Sequence, residues 1–207
     1  MAATLTRVLT SDEPAAVPTM CLSLIGSFRL VIGGQPVWLS AGSQRLLALL
    51  ALRDGSATRA SATRILWPDL PGAQARANCR AAWHGLVRQC GSAVVAGTGS
   101  LRLEPAVAVD IRQVANVARR LLDPSCDLDQ AFLTSSLDCA LYDDLLPGWH
   151  DDWLTAERAS FRHLRLHCLE ALARRLAAAG RYAAAVDAMI AALQSLTATY
   201  GNELQGA

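Results

Sequence analysis

The period of the apolar residues changes along this chain, and the order of the changes limits the folds open to it. "CLSLIGSFRLVIGG" places apolar residues at Leu22, Leu24, Phe28, Leu30 and Ile32, the alternation of a strand with one buried face, ending at Gly33-Gly34. "QPVWLS" reads as its hairpin partner. "SQRLLALLALRDG" is helical, with Leu46, Leu47, Leu49 and Leu50 on a broad apolar face, Ser43 as N-cap and Gly55 as the stop. "SATRILWPDL" gives a second, short helix closed by Pro68, and a third runs from about Ala73 to Cys90. "AVVAGTGSLRLEPAVAVD" offers two strand-like runs around Gly97-Thr98-Gly99, a hairpin signal. Beyond Asp110 every segment is helical in pattern, with breaks at Asp123-Pro124, Pro147-Gly148 and Gly180.

Three helices closed by a β-hairpin outline a winged helix-turn-helix. The expected class is therefore mainly α with small β: a winged helix-turn-helix domain followed by a tetratricopeptide-like all-α helical domain. The expected organisation is a flexible leader over 1–20, the winged-helix domain over 21–111 and a shortened helical domain over 112–207. With 52% apolar residues the chain can build packed cores. No apolar run reaches the roughly 18 residues that cross a bilayer, and the N-terminus lacks an apolar signal region, so a cytoplasmic protein without membrane contact is expected. The six cysteines include no C-x-x-C pair and read as reduced buried thiols, not as a zinc site.

The net charge of +1 conceals a split. Cys21 to Arg112 holds ten arginines against four acidic residues, whereas the chain from Gln113 onward holds eight against twelve. The basic half is the candidate for a polyanion partner. On the third helix Cys79, Trp83, Leu86 and Cys90 share one face, and Arg80, His84 and Arg88 lie opposite, interleaved with Ala77, Ala81 and Gly85. Arginines there reach phosphates or the N7/O6 edge of guanine, and small neighbours let the backbone approach a groove wall. An ordinary solvated face has the same composition; the helix's place, third and before a hairpin, favours the groove reading. Arg76 and Arg102 are the expected phosphate contacts, Arg102 on the second hairpin strand.

The acidic half contains the one stretch that looks like chemistry, "LLPGWHDDWLTAERASF". Carboxylates just after Pro147-Gly148 suit a helix start, worth about 0.3–1 kcal/mol each against the helix dipole. Consecutive helical residues point about 100° apart, so His150, Asp151 and Asp152 cannot converge on one ion. Trp149 and Trp153 read as core, with Phe161, Leu164, Cys168, Leu172 and Leu176 continuing the same face, and Arg158, Arg162 and Arg165 read as a solvated flank. His163 and His167 have a ligand spacing, but Leu164 stands where the zinc-protease pattern needs glutamate. No nucleophile elbow, P-loop or dinucleotide fingerprint occurs, so neither an enzyme nor a cofactor or metal site is expected. "LARRLAAAGRYAAAVDAMIAAL" has the grammar of a tetratricopeptide hairpin, with Val186, Ile190 and Leu193 facing inward.

These segments also resemble a known family. "LIGSFRLVIGGQPVWL", "SQRLLALLAL", "ATRILWPD", "ARANCRAAWHGLVRQC" and "LRLEPAVAVDIRQV" look like the OmpR-like winged-helix half of antibiotic regulatory proteins (the SARP group). "LYDDLLPGWHDDWLTAERASFRHLRLHCLEALARRLAAAGRYAAAVDAMIAAL" looks like the bacterial transcriptional activator domain that follows it. The resemblance covers about residues 21 to 195. It implies a transcription regulator whose third helix enters the major groove of double-stranded DNA at promoter direct repeats. It also implies a helical domain that aids homodimerisation and contact with RNA polymerase. The alternative from another class is a truncated interaction module that modulates related regulators and binds little DNA itself.

Overall fold

The structure is a computed structural model that describes residues 20–53, 55–123, 125–126, 128–137 and 143–204. It is mainly helical with small sheets. It divides into two compact units: Thr19–Ala115 with Asp143–His163, and Asn116–Tyr142 with Leu164–Ala207. The units thus divide the chain differently from a single cut near residue 111, because residues 143–163 belong with the N-terminal segment. The expected leader over 1–20 lies outside the described residues except for Met20, which is buried at the start of the first strand.

The first unit opens with β1 (Met20–Ser23), β2 (Arg29–Ile32) and β3 (Gln35–Pro36), joined by β7 (Ala108–Val109) in a four-stranded sheet of order β3-β2-β1-β7. The single alternating strand expected over 22–32 is in fact two. β1 pairs antiparallel with β2 from Met20↔Ile32 to Ser23↔Arg29. Gly26, at φ +76°, supplies the left-handed residue of the turn between them. Gly33 and Gly34 turn the chain into β3 as the sequence indicates.

Helix α1 (Ala41–Leu52), helix α2 (Arg59–Leu66) and helix α3 (Gly72–Cys90) then pack on one another. The N-cap of α1 is Ser40, not Ser43: the Ser40 hydroxyl accepts from the Ser43 amide. Ser43 is instead 1% exposed and donates from Oγ to the Ala82 carbonyl of α3 at 3.0 Å. Thr58 caps α2 by accepting from Ser61. The Gly97-Thr98-Gly99 turn joins β5 (Val94–Ala96) to β6 (Ser100–Leu103), and β4 (Ser56–Thr58) adds a third strand in the order β4-β6-β5. The Arg59 amide donates to the Gly99 carbonyl, which ties the hairpin tip to the start of α2.

Helix α4 (Asp110–Leu122) begins on a side-chain carboxyl group that ties it to the β1–β2 turn. Asp110 accepts from the amides of Leu24, Ile25 and Ile111 at 2.7–2.9 Å. Burial pushes its carboxyl above the ordinary 3.8, and the backbone donors pull the other way. The same β1–β2 turn receives the segment before α6 (Leu154–Ala178). Ile25 bridges Leu145, the Leu146 amide donates to the Leu24 carbonyl and the Gly26 amide donates to the Asp144 carbonyl.

In this segment two expectations change. His150, Asp151 and Asp152 precede the helix and do not form its first turn; the carbonyls of Asp151 and Asp152 accept the first amides of α6. Arg158 and Arg162 are no solvated flank. Arg158 donates to the carbonyls of Leu145, Leu146 and Trp149, Arg162 pairs with Asp144, and Arg165 is buried. Leu146 sits at φ +44°, a left-handed conformation that a branched side chain avoids and that this set of hydrogen bonds holds in place. Trp149 and Trp153 are half-buried, and Trp149 stacks on Phe28 at 5.9 Å between centroids.

In the second unit, the later part of α6 buries Cys168, Leu169, Leu172 and Leu176. Helix α5 (Gln130–Leu137) carries Phe132, whose ring lies 3.7 Å below the Arg120 guanidinium. Arg175 donates to the carbonyls of Asp123 and Cys126, in the segment that follows α4. Gly180, at φ +75°, ends α6, and the Arg181 amide closes back on the Leu176 carbonyl. Helix α7 (Tyr182–Leu204) then reverses the expected orientation. Its buried face is Ala185, Ala188, Ala191, Ala192 and Ser195. Val186, Ile190 and Leu193 face outward with Tyr182 and Met189, all between 42% and 71% exposed. Two stripes of different bulk compete for the inside of such a helix, and here the small one wins.

Candidate nucleic-acid interface

Helix α3 is two-sided. Ala75, Cys79, Ala82, Trp83, Leu86 and Cys90 are buried, and burial pushes the Cys90 thiol up to about 11, so it stays protonated at neutral pH. The opposite arc is exposed and is built of two neighbouring ridges at i, i+4 spacing: Arg76-Arg80-His84-Arg88 and Ala73-Ala77-Ala81. At 100° per residue His84 lies at the centre of this arc, with Arg80 and Arg88 about 40° to either side and Arg76 at one edge. The Arg76 guanidinium folds towards the start of the helix, where Nη1 lies 3.3 Å from the place a Cβ on Gly72 would occupy.

Gly85 does not belong to this arc. A Cβ at Gly85 would stand 2.6 Å from Ser43 Oγ, so its missing side chain serves the approach of α3 to α1. The close contact brings Ser43 to the Ala82 carbonyl. Mid-helix glycine costs about 1 kcal/mol relative to alanine, and the structural gain that offsets it is this contact. It leaves Ala73, Ala77 and Ala81 as the small residues of the exposed face.

Arg102 is exposed on β6, between buried Leu101 and Leu103, and its register partners are Ser56 and Val95. It stands in mid-strand on the outer face of the three-stranded sheet and not at the hairpin tip. Two further exposed arginines, Arg59 and Arg64, lie on α2, the helix before the turn into α3. Periodicity alone does not mark them, because α2 is too short for its faces to be told apart.

The arginines of this unit sort by what they touch. Arg45 pairs with Asp151 at 2.9 Å, Arg53 with Glu157 at 3.7 Å and Arg162 with Asp144, while Arg158 is spent on carbonyls. Among the described residues, Arg59, Arg64, Arg76, Arg80, Arg88 and Arg102 form no ion pair with an acidic group. Exposed guanidiniums without an acidic partner each leave a positive charge facing solvent. Among the described residues no cluster of histidine, cysteine or carboxylate fits a metal ion, and no helix is long and apolar enough to cross a membrane. His167 pairs with Glu170 at 3.5 Å.

No model of a known protein family matches this chain, and no curated protein matches it.

Proposed function

We propose that this chain is a sequence-specific DNA-binding transcriptional regulator of the SARP type. In this reading residues 21–111 are an OmpR-like winged helix-turn-helix with α3 as its reading helix, and residues 112–207, of which 143–163 group with the first compact unit, supply a tetratricopeptide-like activator domain. The observation that carries the reading is the exposed, uncompensated row Arg76-Arg80-His84-Arg88 on α3. The order of elements supports it: a four-stranded sheet, three mutually packed helices and a β5–β6 hairpin tied to the start of α2. Arg80, His84 and Arg88 occupy the major groove, and Arg76 and Arg102 neutralise phosphates, joined by Arg59 and Arg64 from α2.

The test begins with a duplex that the parent protein selects from a random-sequence pool. Arg80→Ala combined with Arg88→Ala should lower affinity for that duplex at least tenfold and flatten the dependence on salt. Equal binding with the same salt slope would remove α3 from the interface.

A second reading, an interaction module with little DNA binding of its own, is favoured by the outward stripe of α7. Tyr182, Val186, Met189, Ile190 and Leu193 form a charge-free apolar strip about 16 Å long, since each helical residue rises about 1.5 Å. A strip without charge is complementary to itself, so its natural occupant is the same helix of a second copy. Sedimentation should then show a concentration-dependent dimer that Ile190→Ser abolishes, with only weak DNA binding that competitor DNA removes.

A further inference from the structure

We infer that α3 reads two G·C base pairs about three base pairs apart, with Arg80 and Arg88 as the specificity-determining residues. This rests on the proposed reading of α3 as the helix in the major groove and adds which sequences it accepts.

Arg80 and Arg88 lie eight residues apart, which is about 12 Å along the helix axis. Both flank His84 at the centre of the exposed arc, so both face the floor of a groove that receives this arc. Arg76 sits at the edge with its guanidinium turned back over Gly72, a position suited to a phosphate and not to a base. Successive base pairs are about 3.4 Å apart along the duplex axis, so 12 Å covers at most about 3.5 steps, and fewer when the helix follows the slope of the groove.

Arginine's fork of N–H donors matches the O6 and N7 acceptors of guanine, a pairing no other base edge offers in the major groove. Neither guanidinium is engaged by an acidic partner among the described residues, so the forks are available to bases. The adjacent ridge Ala73-Ala77-Ala81 is only methyl-deep, which lets the helix sit low enough for both arginines to reach base edges. His84, one turn from each arginine, faces the steps between the two G·C pairs.

The experiment is selection from a random duplex pool by the parent protein and by two single variants, Arg80→Lys and Arg88→Lys. Lysine keeps the charge and loses the fork, so folding and phosphate attraction are retained. The expected result is a motif with two G·C pairs about three base pairs apart, each variant relaxing a different one of the two. Affinity of each variant for the parent's motif should fall by about tenfold, the size of one bidentate base contact. A selected motif without this pair of G·C positions overturns the inference and leaves the DNA-binding reading standing. So does a pair of variants that relax the same position or neither. No enrichment of any sequence by the parent refutes the DNA-binding reading itself.

Discussion

Replacing Gly85 with alanine separates two roles for this glycine, spacing two helices or approaching a groove. In an open helix the change stabilises by about 1 kcal/mol. Here the new Cβ would lie 2.6 Å from Ser43 Oγ, too close for any real pair. The hydroxyl must rotate away, and Ser43 is buried, with its Oγ donating to the Ala82 carbonyl and accepting from the Ser40 hydroxyl. A buried hydroxyl stripped of its partners costs about 1–3 kcal/mol, and residual crowding adds to it. Gly85→Ala should therefore destabilise by about 1 kcal/mol net, a fall in melting temperature of about 2–4 °C for a chain of this size.

The Ser43→Ala background decides the matter. With Oγ gone, the next contact of the new methyl is the residue 43 Cβ at 3.8 Å, an ordinary distance. In that background Gly85→Ala should become stabilising by about 1 kcal/mol, measured by urea unfolding as a double-mutant cycle. If alanine at 85 stabilises the parent and weakens DNA binding, the helix-spacing argument is wrong and the glycine serves the groove.

Three other outcomes follow from the same geometry. Arg158→Met leaves the carbonyls of Leu145 and Trp149 without their donor and the Leu146 carbonyl with the Trp149 amide alone, and should cost about 2 kcal/mol or more; unchanged proteolysis of residues 143–150 would contradict it. Because burial raises the Asp110 carboxyl in the folded protein, its contribution is fully present below the unfolded value near 3.8 and is lost as pH rises through the folded one. The stability of the parent relative to Asp110→Asn should thus decline as pH rises above the ordinary 3.8, and parallel urea-midpoint curves would refute the direction. On α7, Ile190→Ser should change monomer stability by no more than about 0.5 kcal/mol, whereas Ala188→Leu overpacks a fully buried site and should cost about 1–3 kcal/mol; the reverse ranking would restore the inward stripe.

Much of the architecture was legible from local rules. The helical boundaries of α3, the Gly97-Thr98-Gly99 turn, the stop at Gly180 and the exposure of Arg76, Arg80, His84, Arg88 and Arg102 all follow from short-range periodicity and turn chemistry. These depend on residues within a turn or two of one another, so one sequence is enough to read them. Ser43, Gly85, Arg158 and Asp110 were misread or passed over because each acts on a segment far away in the chain. A serine near a helix start looks like a cap until α3 lies against it, and an arginine on a helix looks solvated until carbonyls nine to thirteen residues earlier turn towards it.

The opposed faces of α3 were settled by the sequence alone, because apolar and charged residues cannot exchange sides without burying guanidiniums. The orientation of α7 was settled only by tertiary structure. Both of its stripes are apolar, so transfer from water favours neither decisively, and the choice falls to which one fits the space available inside the unit. Alanines fit there, and the larger side chains remain outside.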